Sequence, residues 1–222
     1  MRSQIIKTTP LLLIGLLCIG VAFYSVKMGV GSLYAKTVSN ELRSLSSSLK
    51  DSRAEGEMEK KMQFVESMLF WDSDSPHALT QAGFFIEHKG RLLDDQKLKE
   101  QSERYFDQTV ELRPLWPEAY IQKAYLLAEL GASMDEVAEQ IEKAVYVGPY
   151  ERSTAKAMLN LYFANWEKLI PEQKIQVSRV LLRHGKYSIG YWELRQLISI
   201  SPNKDKMCNL LKFNGINYRE CQ

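Results

Sequence analysis

Between Lys7 and Lys27 the chain carries no charged residue, and that gap constrains its fold more than any other feature. The interval is dominated by LLLIGLLCIGVAFY. Its nineteen residues, Thr8 to Val26, match what a hydrocarbon core about 30 Å thick requires of a helix rising ~1.5 Å per residue. A cleaved signal peptide is the competing reading, with Arg2 and Lys7 as its charged head. Cleavage requires small residues soon after the apolar core, and Phe23, Tyr24, Lys27 and Met28 stand there instead. A lipid attachment at Cys18 fits poorly, because Leu16 and Leu17 precede it. The expectation is an uncleaved single anchor at 8–26 behind a short tail at 1–7.

Basic residues do not orient this anchor, since Lys27, Lys36 and Arg43 beyond it match those before it. Two other features favour an exported body. The tail is too short to be a domain, and Cys208 and Cys221 stand near the C-terminus where they could close a small loop. A bond between them would contribute ~3 kcal/mol by chain entropy and imply an oxidising compartment; two unrelated free thiols are the alternative. The expected location is the inner (cytoplasmic) membrane, single-pass, with the C-terminal domain in the periplasm.

Charge excludes one class of partner. The chain has 29 basic and 27 acidic residues, and both surplus cations, Arg2 and Lys7, precede the anchor. The remainder is neutral, whereas nucleic-acid binding needs a basic surplus or stripe.

The body reads as helices throughout. Val38, Leu42, Leu45 and Leu49 follow a 4-3-4 spacing that makes one apolar face. That face could pack on the body, lie on the membrane, or form a homodimer seam, for which two heptads are few. KDSRAEGE reads as a polar linker around Gly56. A second helix then runs to about Trp71, with Met62, Val65, Met68 and Leu69 on one side. Few runs alternate with period two, so no sheet is expected.

In VELRPLWPEAYIQKA, Pro114 ends one helix and Pro117 suits the first turn of the next. Pro149 ends another helix thirty-five residues after Pro114. Matching apolar and small residues precede the two prolines: Phe106 and Thr109 before one, Ile141 and Ala144 before the other. Inside the first helix of each pair, Leu79, Ala82, Gly83, Ile86 and Gly90 align with Tyr120, Lys123, Ala124, Leu127 and Gly131. This pattern resembles a divergent tetratricopeptide array, whose period is ~34 residues. It departs at Lys123, at the missing tryptophan, and at seven extra residues, RLLDDQK, between the first pair's helices. The resemblance implies that each glycine ends a helix and that Trp116 plugs the corner. A weaker third pair spans Ser153 to Leu169 and Pro171 to His184, and two further helices, Ser188 to Ile198 and Asn203 to Phe213, would cap the array. The expected fold class is all-α, with one transmembrane helix followed by a tetratricopeptide-like solenoid. Its divisions are juxtamembrane helices and linker at 27–74, helix pairs at 75–185, and capping helices at 186–222.

Signals of chemistry are sparse. His77, His88 and His184 show no metal spacing with cysteine, and neither a phosphate-cradling glycine loop nor a nucleophile elbow occurs. Asp72, Asp74, Glu87, Asp94 and Asp95 read as solvated charges. No enzyme activity, metal or cofactor is expected.

In tetratricopeptide arrays the first helix of each pair lines a groove. The resemblance therefore assigns groove positions to His77, Thr80, Phe84, Glu87 and His88, to Glu118, Ile121, Tyr125 and Glu129, and to Lys156, Asn160 and Phe163. Aromatic residues among polar ones suit an extended peptide or a glycan, although Phe84 and Tyr125 equally suit packing between helices. A clamp for a peptide carboxylate in the groove is not expected, because Thr80 and Phe84 stand where it needs lysine and asparagine. Lys156 and Asn160 do hold those positions, but without a clear following repeat.

The layout is similar to a family of polysaccharide-biosynthesis proteins of marine bacteria named VpsP. The similarity lies in the short N-terminus, the single anchor, WDSDSPHALTQAG at the start of the body and VELRPLWPEAY at its centre. It implies a scaffold that helps make or export an exopolysaccharide, with protein partners of the assembly or export machine. The alternatives are a general adaptor for envelope or secretion complexes and, more remotely, a glycan-modifying enzyme.

Overall fold

The computed structural model describes residues 2–45 and 54–221. Among them stand ten α-helices and no strand: α1 (Arg2–Leu45), α2 (Ala54–Trp71), α3 (Pro76–Leu92), α4 (Gln96–Leu112), α5 (Pro117–Glu129), α6 (Met134–Val147), α7 (Arg152–Ala164), α8 (Pro171–Leu182), α9 (Tyr191–Ile200) and α10 (Lys204–Phe213). The chain divides into two compact units, Met1–Tyr105 and Phe106–Gln222, with α4 running across the division.

In the first unit α1 is one continuous helix of 44 residues, about 66 Å long at ~1.5 Å per residue. Every side chain from Leu13 to Val26 is exposed, so α1 is long and apolar enough to cross a membrane. Further along, the same helix becomes part of the folded body. Ala35 and Val38 are buried against Met58, Val65 and Met68 of α2 and against Ala78, Ala82 and Phe85 of α3. Gly31 marks the tightest approach, since a Cβ there would come within 2.6 Å of the Asp72 Cβ, just past α2. The Lys61–Glu41 pair at 2.9 Å and the Lys89–Glu59 pair at 2.8 Å link α2 to α1 and α3.

Two expectations change here, and of the alternatives left open for the amphipathic face, packing on the body holds for Val38 and Leu42. No break separates the apolar stretch from the amphipathic one. Val38 and Leu42 pack on the chain's own core, so they are covered from within rather than offered as a dimer seam; the Leu45 side chain and Leu49 lie outside the described residues. Gly56 belongs to the first turn of α2 and not to a linker.

The third helix starts as its sequence dictates, with the Ser75 hydroxyl capping the Ala78 amide and Pro76 in the first turn. It does not end at Gly90. The helix continues to Leu92 and the left-handed turn residue is Asp94 (φ 51°). Gly90 is instead a contact point, where a Cβ would meet the Asp95 carbonyl and Leu98 Cβ at 3.1 Å. The extra residues RLLDDQK mainly lengthen α3 and α4.

The second unit is built on hairpins. Gly131, at φ 77°, makes the turn after α5. Ser133 and Glu136 form a reciprocal capping box at the start of α6. The corner between α4 and α5 is held by the Tyr120 hydroxyl, which donates to the Pro114 carbonyl at 3.0 Å. Arg113 lies 5.0 Å over the ring of half-buried Trp116. At the centre, α7 packs against α5, α6, α8, α9 and α10, burying Met158, Leu159, Tyr162 and Phe163. Cys208 on α10 and Cys221 are joined, with Cα atoms 5.2 Å apart.

Candidate partner-binding face

Within the second unit, α5, α7 and α9 form a row in which each neighbouring pair is in contact. Polar side chains bridge that row. Asn160 Nδ2 on α7 donates to the Tyr125 hydroxyl on α5 at 3.1 Å. Lys156, one turn before Asn160, reaches Glu193 on α9 at 3.2 Å, and Arg152 lies 3.8 Å from the same carboxylate. On α5, Gln122 donates to Glu118. The face is thus a ladder of side chains held across three helices, and fixed donors and acceptors lower the ordering cost of binding.

Electrostatics follow this arrangement. Burial pushes the Tyr125 phenol above its ordinary range, partly offset by the Asn160 hydrogen bond. The Gly190 amide, with the Lys156 ammonium second, holds the Glu193 carboxyl below the usual carboxylate range. Both states favour the hydrogen-bonded forms near neutrality: a neutral tyrosine and an ionised glutamate.

An aromatic cluster closes the α9 end. Arg195 pairs with Glu220 and lies 4.7 Å over the ring of Trp192, which is 72% exposed. Tyr191 stacks on Tyr218 at 5.0 Å. The Tyr218 hydroxyl is 3.2 Å from His184 Nε2, while His184 Nδ1 donates to the Ile189 carbonyl at 2.9 Å. His184 is therefore a bonded link between segments, not simply a helix-end cation.

The expected groove residues separate into two groups. Glu118, Tyr125, Lys156 and Asn160 belong to the ladder, and Glu129 is half-buried on the same helix as Tyr125. Ile121 and Phe163 lie in the core and cannot meet a partner. Trp166 stacks on the Phe163 ring at 5.1 Å, and Asn203 donates to the Phe163 backbone carbonyl at 2.8 Å. On α3, in the first unit, His77 is exposed while Phe84 and His88 are half-buried. Thr80 is buried and its hydroxyl donates to the Pro76 carbonyl at 2.7 Å. Glu87 is also buried, paired with Arg91 at 2.6 Å.

Sequence reasoning missed Glu193, Trp192 and Arg195, because α9 was read only as a cap. The acidic first turn of α9 and its adjacent aromatic pair were the available signals. Among the described residues no group of three or more His, Cys, Asp or Glu could hold a metal ion. No family model matches the chain, and no curated protein matches it either.

Proposed function

We propose that the protein is a membrane-anchored, non-catalytic scaffold whose helical body holds protein partners of an exopolysaccharide synthesis or export machine. The observation that carries the scaffold reading is the α5–α7–α9 ladder. Tyr125–Asn160 and Lys156–Glu193 tie successive helices together through polar groups that stay half-buried, and so within reach of a partner. The hairpin of α5 and α6, the glycine turn between them, and the thirty-five-residue offset of Tyr125 and Asn160 support a tetratricopeptide-like repeat for this body. The long apolar exposed stretch of α1 supports single-span anchoring in the cytoplasmic membrane, and the Cys208–Cys221 bond supports a periplasmic body. The polysaccharide assignment rests on the resemblance carried by WDSDSPHALTQAG and VELRPLWPEAY.

A general adaptor for envelope or secretion complexes is the second reading, favoured by a face whose polar groups suit protein as well as sugar. Deletion of the gene, with rescue by the full chain or by a form lacking 8–26, separates these readings. The scaffold reading expects loss of surface polysaccharide and rescue by the anchored form alone. Unchanged polysaccharide with defects in other envelope processes would replace it with the general adaptor.

A further inference from the structure

A second site lies away from the ladder, in a cavity of about 190 Å³ between α6, α7 and α8. Its lining is aliphatic in part, from Val145, Ala155, Met158 and Val180. Thr154, Gln176, Arg179 and Tyr187 supply polar groups to the same lining. Thr154 is 2% exposed, and its Oγ1 has no hydrogen-bond partner among the described residues. An unpaired buried hydroxyl is costly, and a ligand in the cavity would supply what is missing. Thr154 stands in the first turn of α7, whose N-cap residue Glu151 makes no side-chain cap. That helix end therefore offers amide donors and the positive end of its dipole. Arg179 is exposed and has no ion-pair partner among the described residues. Lys186 adds positive charge nearby, 4.7 Å over the ring of Tyr150, which packs 6.1 Å from Tyr187.

We infer that this cavity binds the C-terminal residue of a peptide, its carboxylate held by Thr154, Arg179 and the α7 N-terminus and its apolar side chain against Val145, Met158 and Val180. A carboxylate takes hydrogen bonds from a hydroxyl, a guanidinium and backbone amides at once. The aliphatic part of the lining selects the rest of the ligand. A bare inorganic anion would leave that part unfilled, and a sugar acid would face hydroxyls to carbons that cannot pair with them. The volume suits one residue rather than a drug-sized molecule, for which pockets of ~300–1,000 Å³ are usual.

The test uses the full chain in lipid nanodiscs and fluorescein-labelled tetrapeptides ending in leucine, valine or phenylalanine, read by anisotropy. Saturable binding of a free-acid peptide is expected, weakened about tenfold or more in its C-terminal amide and in Arg179→Met, as loss of a charged hydrogen bond implies. Thr154→Val should weaken binding without lowering the melting temperature, because it removes a hydroxyl that has no partner in the free protein. The inference is overturned if acid and amide bind alike, if both variants bind as the parent does, or if none of the peptides binds. Displacement of the peptide by glucuronate at similar concentration would also overturn it, in favour of a sugar-acid site. The inference does not rest on the proposed scaffold role: photo-crosslinks from Glu118 and Lys156 should survive Thr154→Val.

Discussion

Tyr125 and Asn160 stand thirty-five residues apart and bond to each other, so the repeat spacing read from two prolines also places two side chains in contact. Their neighbours show where single-residue reading stops. Ile121 and Phe163 are both assigned to the groove by the pattern, yet both are covered, and Trp166, which stacks on Phe163, comes from a segment outside the motif. Spacing assigns a face to a residue but does not reveal what a later helix lays over it. Tyr162 illustrates a different residue-scale effect. Its side chain is fully buried and its hydroxyl has no partner among the described residues. Burial, with the Glu142 charge second, pushes the phenol well above its ordinary range. Tyr162→Phe should hold or raise the unfolding free energy, by up to ~1 kcal/mol, in denaturant melts. A loss of that size would mean that the hydroxyl is hydrogen-bonded after all.

At the scale of elements, the corners were the legible part. Pro76, Pro117 and Pro171 each occupy a first helical turn, and Gly131 takes the left-handed conformation that its place after a helix requires. Continuity was less legible. The apolar run and the amphipathic segment after it differ in pattern, so they read as two helices, but nothing between Val26 and Val38 breaks a helix and α1 passes through. Its Gly31 lets it approach the end of α2. Carboxylates at helix starts also carry a pH dependence. Bonds from Ser133 hold Glu136 below its ordinary range, as the Gly190 amide and Lys156 do for Glu193. A depressed folded-state pKa gives stability that is complete above the unfolded value, ~4.3, and is lost as pH falls through the folded value. The melting temperature should therefore drop as pH falls below about 4.3. Glu193→Gln should make that drop shallower; an unchanged acid limb would show that the α9 cap and the Lys156 bridge contribute nothing.

The chain carries one exposed apolar stretch of helix in its first unit and, in its second, a disulfide near the C-terminus. The all-α class and a helix long and apolar enough to cross a membrane were legible because both depend on composition and period, which are local. Which side chains stay accessible depends on long-range packing and was only half legible: Tyr125, Lys156 and Asn160 are half-buried, while Ile121 and Phe163 lie in the core. Reduction of Cys208–Cys221 should lower the melting temperature, since closing so short a loop contributes ~3 kcal/mol by chain entropy. Equal melts before and after reduction would remove both this stabilisation and its support for a periplasmic body. The most direct measurement of the central claim is photo-crosslinking in living cells from probes at Glu118 and Lys156, with the captured proteins identified by mass spectrometry. The scaffold account predicts that both probes capture polysaccharide polymerase or export components. Probes that capture nothing, in a chain shown to be folded and membrane-bound, would contradict the account.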